Sequence, residues 1–295
     1  PVDPAILAAN PSTEEYLDVQ RYWPETRYLD PLTDTYHDYP FFMLIANSGC
    51  PYSAPVEKNE QFDTLTLDSG THSKGCSFCS IGGDYKRLDV PNYLSFLADQ
   101  IAWFSEKCPK AEIIIPDEAS SELLTKLIPY LVEREIRPHA LLVKTRLNSL
   151  YPLRKSFEAA LALAQDNDMR ICSYLIGIEN FSDKLLKIYN KGVTAEQGAA
   201  VLKRLDKLAT QFPKHFDHHR YPSHGFIMFS PWATMEDLGI NLRYFWELDL
   251  YRMAGKAPYS RLRLYRWQPL YALAERDQLL DDSGRFEKVV RRQVA

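Results

Sequence analysis

Apolar residues in this chain fall into two alternating rhythms. Short aliphatic and β-branched runs at 41–46, 113–115, 140–145, 171–178, 224–229 and 261–266 have the length and continuity of strands buried on both faces. Helical spacing fills the gaps: Leu94, Leu97, Ile101 and Phe104 mark a helix over 91–107, and others are predicted over 121–134, 154–165, 195–209 and 235–249, with a short helical piece after the last strand. Start signals agree with these boundaries. Ser120 or Ser121 can cap the second helix, Thr194 with Gln197 forms a capping box, and Thr234 with Asp237 stands at the start of the fifth. Six strands, the first five each followed by a helix, imply a parallel sheet with right-handed crossovers. Six units fall short of the eight of a closed triosephosphate-isomerase barrel, so the pattern predicts an α/β fold of the partial (β/α)6 TIM-like type. An open doubly wound sheet is the alternative.

The same pattern divides the chain. Residues 1–40, rich in Pro, Asp and Tyr, read as an extension draped over the main domain, with Ser12-Thr13-Glu14-Glu15 opening a short helix. The barrel runs over 41–275 and a tail over 276–295. In either parallel architecture, function gathers at the carboxyl ends of the strands. Those ends carry Cys50, Asp117, Glu118, Lys144, Arg146, Glu179 and Ser230.

Composition narrows the classes. The 295 residues are 45% hydrophobic and 25% charged, ordinary for a soluble globular protein, and a net charge of −4 gives no electrostatic reason to expect nucleic acid. No apolar run is long enough to span a bilayer and no secretory signal opens the chain. The five cysteines, odd in number and unevenly spaced, do not form a disulfide framework, and a reducing cytoplasm fits them best. The chain opens on Pro1 rather than Met, which leaves an upstream domain open.

The sharpest chemistry lies in Gly75-Cys76-Ser77-Phe78-Cys79, followed by Gly82-Gly83. Two thiolates separated by two residues can hold one soft metal centre, and the flanking glycines let the backbone turn tightly around it. A third thiolate from Gly49-Cys50-Pro51-Tyr52 would satisfy three irons of a four-iron cluster and leave the fourth open. With His72 added, the same residues make a plausible tetrahedral Cys3His zinc set, which would suit a binding protein. Cys108 and Cys172 read as structural thiols. His215, His218 and His219 hint at a metal but sit in a polar, Pro-containing stretch and read as surface. Tyr265-Arg266-Trp267 reads as barrel wall.

Across 41–275 the chain resembles the radical S-adenosylmethionine superfamily. The family hallmark is CxxxCxxC with an aromatic residue before the last Cys, whose second half Cys76-Ser77-Phe78-Cys79 reproduces. Ile176-Gly177-Ile178-Glu179-Asn180 with Asn190-Lys191-Gly192, and Phe226-Ile227-Met228-Phe229-Ser230-Pro231 with Thr234–Leu238, are similar to fourth- and fifth-strand segments of the branch that often carries cobalamin domains. One departure matters. Cys50 lies 26 positions before Cys76 rather than four, an excess of 22, and His72 occupies the family position. Loop closure costs grow slowly with length, so an insertion over 51–75 is tolerable. Thiolate softness and the Gly-Cys-Pro-Tyr string favour Cys50 over His72.

The resemblance implies that Cys50, Cys76 and Cys79 hold a [4Fe-4S] cluster whose open iron chelates S-adenosylmethionine. It further implies a 5′-deoxyadenosyl radical that abstracts hydrogen from substrate. Pro116-Asp117-Glu118-Ala119 stands at the family's amino-group motif without its glycines, making Glu118 the candidate acceptor for the methionine ammonium, with Asp117 beside it among the cofactor-binding residues. Arg146 would pair the methionine carboxylate, Glu179 would bind the ribose hydroxyls or polarise the site, and Phe78 would pack on adenine; Ser230 lies at the same rim. Each has a plainer role as an ion pair, loop cap or core residue. Expected partners are a small-molecule or peptide substrate and an electron donor such as flavodoxin or ferredoxin. No Asp-x-His-x-x-Gly string for cobalamin is present. A relative that has lost catalysis and serves as a scaffold is a further reading.

Overall fold

The computed structural model describes residues 27–30, 35–38, 41–79, 81–118, 120–150, 154–221, 224–252 and 259–280. An antiparallel pair, β1 (Arg27–Asp30) and β2 (Thr35–Asp38), precedes the sheet and was not predicted. The capping box at Ser12–Glu15 and most of the tail lie outside the described residues. The main sheet is parallel throughout. Strands β3 (Phe41–Met43), β4 (Glu112–Ile115), β5 (Ala140–Arg146) and β6 (Arg170–Glu179) pair in sequence order. Two further pieces pair on the outer side of β6: β7 (Phe216–Asp217) against its first residues and β8 (Gly225–Phe226) against its last.

Helices connect these strands. They are α1 (Tyr93–Lys107), α2 (Ser120–Glu133), the single turn α3 (Leu147–Leu150), α4 (Arg154–Asp166), α5 (Asp183–Ile188), α6 (Ala195–Gln211), α7 (Met235–Glu247) and α8 (Pro269–Arg276). The capping boxes Thr194/Gln197 and Thr234/Asp237 both form, because the β-region backbone at each threonine aims its hydroxyl at the third helical N–H. Asn92 caps α1. Ser120 does not act as the expected cap. Its hydroxyl is buried and joins both the N–H and the carbonyl of Lys144 at 2.8 and 3.1 Å, fastening α2 to β5.

Side-chain alternation along the strands decides between the two predicted architectures. Ile113, Ile115, Leu141, Val143 and Ile171 share one core with Leu97, Ile101, Leu124, Leu127, Leu161, Leu202 and Leu205, so α1, α2, α4 and α6 all pack on one face. The intervening residues Ile114, Leu142 and Cys172, with Ala140, form a separate small cluster touched by Tyr174 and Tyr221. A doubly wound sheet covers both faces with helices. This sheet is singly wound, as a partial barrel requires.

Two predictions are corrected at its far edge. The fifth strand, expected over 224–229, shortens to Gly225–Phe226, and the sixth, over 261–266, is reduced to a parallel bridge between Phe229 and Arg261. Apolar runs recorded burial there, but not ladder hydrogen bonds. Ile227 and Leu262 are instead part of a third core, with Val56, Phe62, Leu185, Ile188, Tyr189, Leu270 and Leu273. That core lies beside the carboxyl ends of the strands and supports the site described next.

Candidate metal and cofactor site

Cys50 and Cys76 are brought together by the base of the expected insertion. Gly75 N–H donates to the Ala54 carbonyl and Val56 N–H to Ser73, both at 2.9 Å, while Pro55 and Lys74 form an antiparallel bridge. Residues 55–74 therefore leave and return at one point. Val56 and Phe62, exposed by 0% and 2%, anchor this loop in the third core, so it is folded structure rather than a free lid. Cys50 N–H donates to the Ile81 carbonyl at 3.0 Å and its own carbonyl accepts from Gly83 N–H at 3.1 Å, pinning it beside the 76–79 turn. Glycine is required here: Gly75 has φ of +84°, and a Cβ on it would lie 2.6 Å from Gly82 Cα.

The 76–79 turn is clamped from both sides. Ser77 Oγ donates to the Ile188 carbonyl at 2.6 Å, Ser77 N–H to that of Tyr189 at 3.0 Å, and Leu270 N–H donates to Ser77 O at 3.1 Å. Gln268 Nε2 donates to the Phe78 carbonyl. Phe78 itself meets the buried Tyr189 ring edge-on, at 5.6 Å between centroids. The ring expected to pack on adenine is thus partly committed to the wall.

Arg146, at the end of β5, is the electrostatic centre. Its Nη1 lies 3.8 Å from Cys50 Sγ and 3.6 Å from Cys76 Sγ, its guanidinium sits 4.3 Å from the Tyr52 ring centroid, and Nε donates to Asn148 Oδ1 at 3.2 Å. Nη2 is buried and has no hydrogen-bond partner. Burial pushes the Cys50 thiol up, with Arg146 working against it, and raises Cys79 to about 11 against a hydrogen bond from Ile81. Burial likewise raises Tyr52 to about 12. For the guanidinium, burial pulls the other way, but the facing sulfurs of Cys76 and Cys50 outweigh it and hold the charge in place.

The remaining predicted residues divide. Glu118 joins Lys144 in a half-buried ion pair at 2.5 Å and is close enough to raise both Cys50 and Cys79 slightly. Glu179 is buried at the end of β6 in the left-handed region, with φ of +67°, and pairs with the equally buried Lys191 at 3.0 Å. Gly177 and Gly225 make room for that pair, since a Cβ on either would lie 3.1 Å or less from its charged atoms. Ser230 Oγ and Tyr189 Oη are buried near one another without completing a hydrogen bond.

The Asp117 carboxylate is 1% exposed and accepts from Tyr93 Oη at 2.9 Å, Tyr85 Oη at 2.8 Å and Asn47 Nδ2 at 3.2 Å, so its oxygens are engaged within the protein. His72 is another residue whose backbone is in use, donating to the Trp267 carbonyl at 3.0 Å. Nor do Cys50, His72, Cys76 and Cys79 gather around one point as a zinc ion requires. Among the described residues, the set of three metal-ligating atoms within 4.8 Å of one another is Asp206, His218 and His219.

Other residues escaped the sequence reading. Tyr52 and Lys191 were seen only as letters of longer strings, although a charged residue inside an otherwise apolar rim was a usable signal. Tyr265 and Trp267, read as wall, are 42% and 48% exposed and stacked at 5.2 Å. His218 and His219, read as surface, are buried and half-buried.

No family model matches this chain, and no curated protein does. Solved structures do. The cobalamin-dependent S-adenosylmethionine radical enzyme OxsB with aqua-cobalamin bound is 18% identical, with a TM-score of 0.55 over 88% of this chain and 42% of its own. With S-adenosylmethionine also bound, OxsB gives a TM-score of 0.53 at the same identity and coverage. The radical S-adenosylmethionine methyltransferase TsrM from Kitasatospora setae, with cobalamin and a [4Fe-4S] cluster bound, is 18% identical at a lower TM-score of 0.49, over 78% of this chain and 38% of its own. The chain spans less than half the length of these proteins. Over the matched residues its fold is that of OxsB.

Proposed function

We propose that this chain is the catalytic barrel of a radical S-adenosylmethionine enzyme, with Cys50, Cys76 and Cys79 as ligands of a [4Fe-4S] cluster. The observation that carries this reading is the convergence of Cys50 and Cys76 on one buried guanidinium whose second terminal nitrogen has no partner. An orphaned buried donor beside free thiols is expensive unless an anionic group completes it. Thiols spread around a rim, rather than drawn to one point, suit a polynuclear cluster better than a single ion.

When bound, the cluster supplies the electron that reductively cleaves S-adenosylmethionine into methionine and a 5′-deoxyadenosyl radical for hydrogen abstraction. The chain's own residues bind and orient. Arg146, held by Tyr52 and Asn148, presents Nη2 to a carboxylate. Glu118 offers an acceptor for an ammonium once Lys144 releases one oxygen. Glu179, fixed by Lys191, faces hydroxyl groups, and the third core keeps water from the thiols. Phe78 and Ser230 line the same rim. The substrate is a small molecule or peptide, electrons arrive from a flavodoxin or ferredoxin, and the setting is the cytoplasm. Among the described residues no helix is long and apolar enough to cross a membrane.

Anaerobic reconstitution with iron and sulfide, followed by dithionite and S-adenosylmethionine, tests the proposal. A brown protein holding four irons per chain and releasing 5′-deoxyadenosine is the expected result. Colourless, iron-free protein overturns it. An intact cluster without cleavage overturns the enzymatic part and leaves a scaffold.

A further inference from the structure

We infer that the chain carries a second metal site, for a divalent transition ion of the zinc class, formed by Asp206, His218 and His219 at the opposite end of the sheet from the thiols. β7 pairs with Ile171 and Cys172, the first part of β6, whereas Glu179 and the cysteine rim stand at its last residue. Asp206 comes from the final turns of α6, and the two histidines directly follow β7. The ion would therefore clip the crossover helix to the strand into which it leads.

Geometry supports ligation. Nε2 of His218 and Nε2 of His219 approach the same oxygen, Asp206 Oδ1, at 3.1 and 2.9 Å. Metal–nitrogen and metal–oxygen bonds of about 2.0–2.1 Å set the edge of a coordination tetrahedron at about 3.3 Å, so a few tenths of an ångström of expansion admits an ion. Two imidazoles and a carboxylate are a common donor set for zinc, with water in the fourth position. The Asp206 side chain is 41% exposed, which gives the ion a path in, while His218 is 1% exposed.

Hydrogen bonding alone crowds both rings onto one carboxylate oxygen, with ring centroids only 4.0 Å apart. An ion among the two Nε2 atoms and Asp206 Oδ1 would replace that shared contact with three separate bonds. The backbone is set up independently of the rings: Asp217 Oδ1 accepts from His219 N–H at 2.8 Å, and the His218 carbonyl pairs with His224 Nε2 at 2.9 Å. His224 Nδ1 in turn accepts from Ile176 N–H at 2.9 Å, linking the segment to β6. The backbone that carries both rings is thus fixed by contacts other than those to Asp206.

The test is zinc loading of the full chain, excess metal removed by gel filtration, read by metal analysis and by X-ray absorption at the zinc edge. The expected result is one zinc per chain with nitrogen and oxygen neighbours only. Asp206→Asn and His219→Gln, at half-exposed positions, should each weaken its retention at least tenfold, and added zinc should raise the melting temperature of the parent chain but not of these variants. His218→Gln is informative only if it folds, so the other two carry the decision. Zinc with sulfur neighbours alone, no zinc, or retention unchanged in Asp206→Asn and His219→Gln would overturn the inference. Because sulfur and nitrogen shells differ, the outcome is separate from the fate of the cluster proposal.

Discussion

Two buried polar centres stand a short way apart on the carboxyl rim, and they are finished to different degrees. Around Asp117, the hydroxyls of Tyr85 and Tyr93 and the amide of Asn47 supply the carboxylate with donors. Around Arg146, one terminal nitrogen faces two sulfurs and the other faces nothing. The first has spent its hydrogen-bonding capacity inside the protein, as scaffolding does. The second has kept some in reserve, which is how a binding site differs from a strut.

The largest expected effect comes from removing the thiols. Cys76→Ala and Cys50→Ala should each abolish cluster assembly, read as iron content and visible absorbance, whereas His72→Ala should keep both. A colourless His72 variant with a brown Cys50 variant would reverse the ligand assignment. Next comes Arg146→Met, expected to retain iron yet lose at least tenfold in S-adenosylmethionine cleavage; undiminished turnover would make Arg146 a strut like Asp117. On the finished side, Tyr93→Phe deletes one donor to a buried carboxylate. It should cost about 1–3 kcal/mol in urea unfolding, with cleavage per folded chain unchanged. Loss of cleavage without loss of stability would erase the distinction.

A smaller, pH-dependent effect belongs to Asp237. Its carboxylate accepts from Ser182 Oγ, Lys184 Nζ and Thr234 N–H at 2.5, 2.6 and 2.8 Å, tying the turn after β6 to the start of α7. Burial works to raise this group, but those donors outweigh it and bring it down to about 2 from 3.8. A depressed carboxylate contributes stability that is complete above about pH 4 and is lost as pH falls toward 2. Asp237→Asn should therefore cost about 2 kcal/mol at neutral pH and flatten the acid limb of the stability profile between those values. A parent-like profile would sink this account.

Much of the fold was legible because it depends on periodicity. α1, α2, α4, α6 and α7 lie within a few residues of their expected spans, and both threonine capping boxes form, since these features are local. The far edge of the sheet was not, because an apolar run at 261–266 reports burial and cannot say whether a partner strand is in register. The site divides along the same line. Cys76 and Cys79 were visible as a pair, and Cys50 through its glycine-rich setting. The tyrosines around Asp117 were not visible, because a carboxylate at a strand end looks alike in sequence whatever surrounds it. Tyr52 is placed by its contact with Arg146, 94 residues on, for which no spacing exists to be read, whereas Lys191 pairs with Glu179 only 12 residues away and its charge in an apolar stretch was the signal overlooked.

The paired neck at Pro55 and Lys74 has a consequence for how such proteins are recognised. A closed stem lets the excursion beyond it lengthen, shorten or change sequence while the residues below the stem keep their places. Any signature written as a fixed count of letters between cysteines will pass over such a chain, whereas one written as proximity among sulfur atoms will find it.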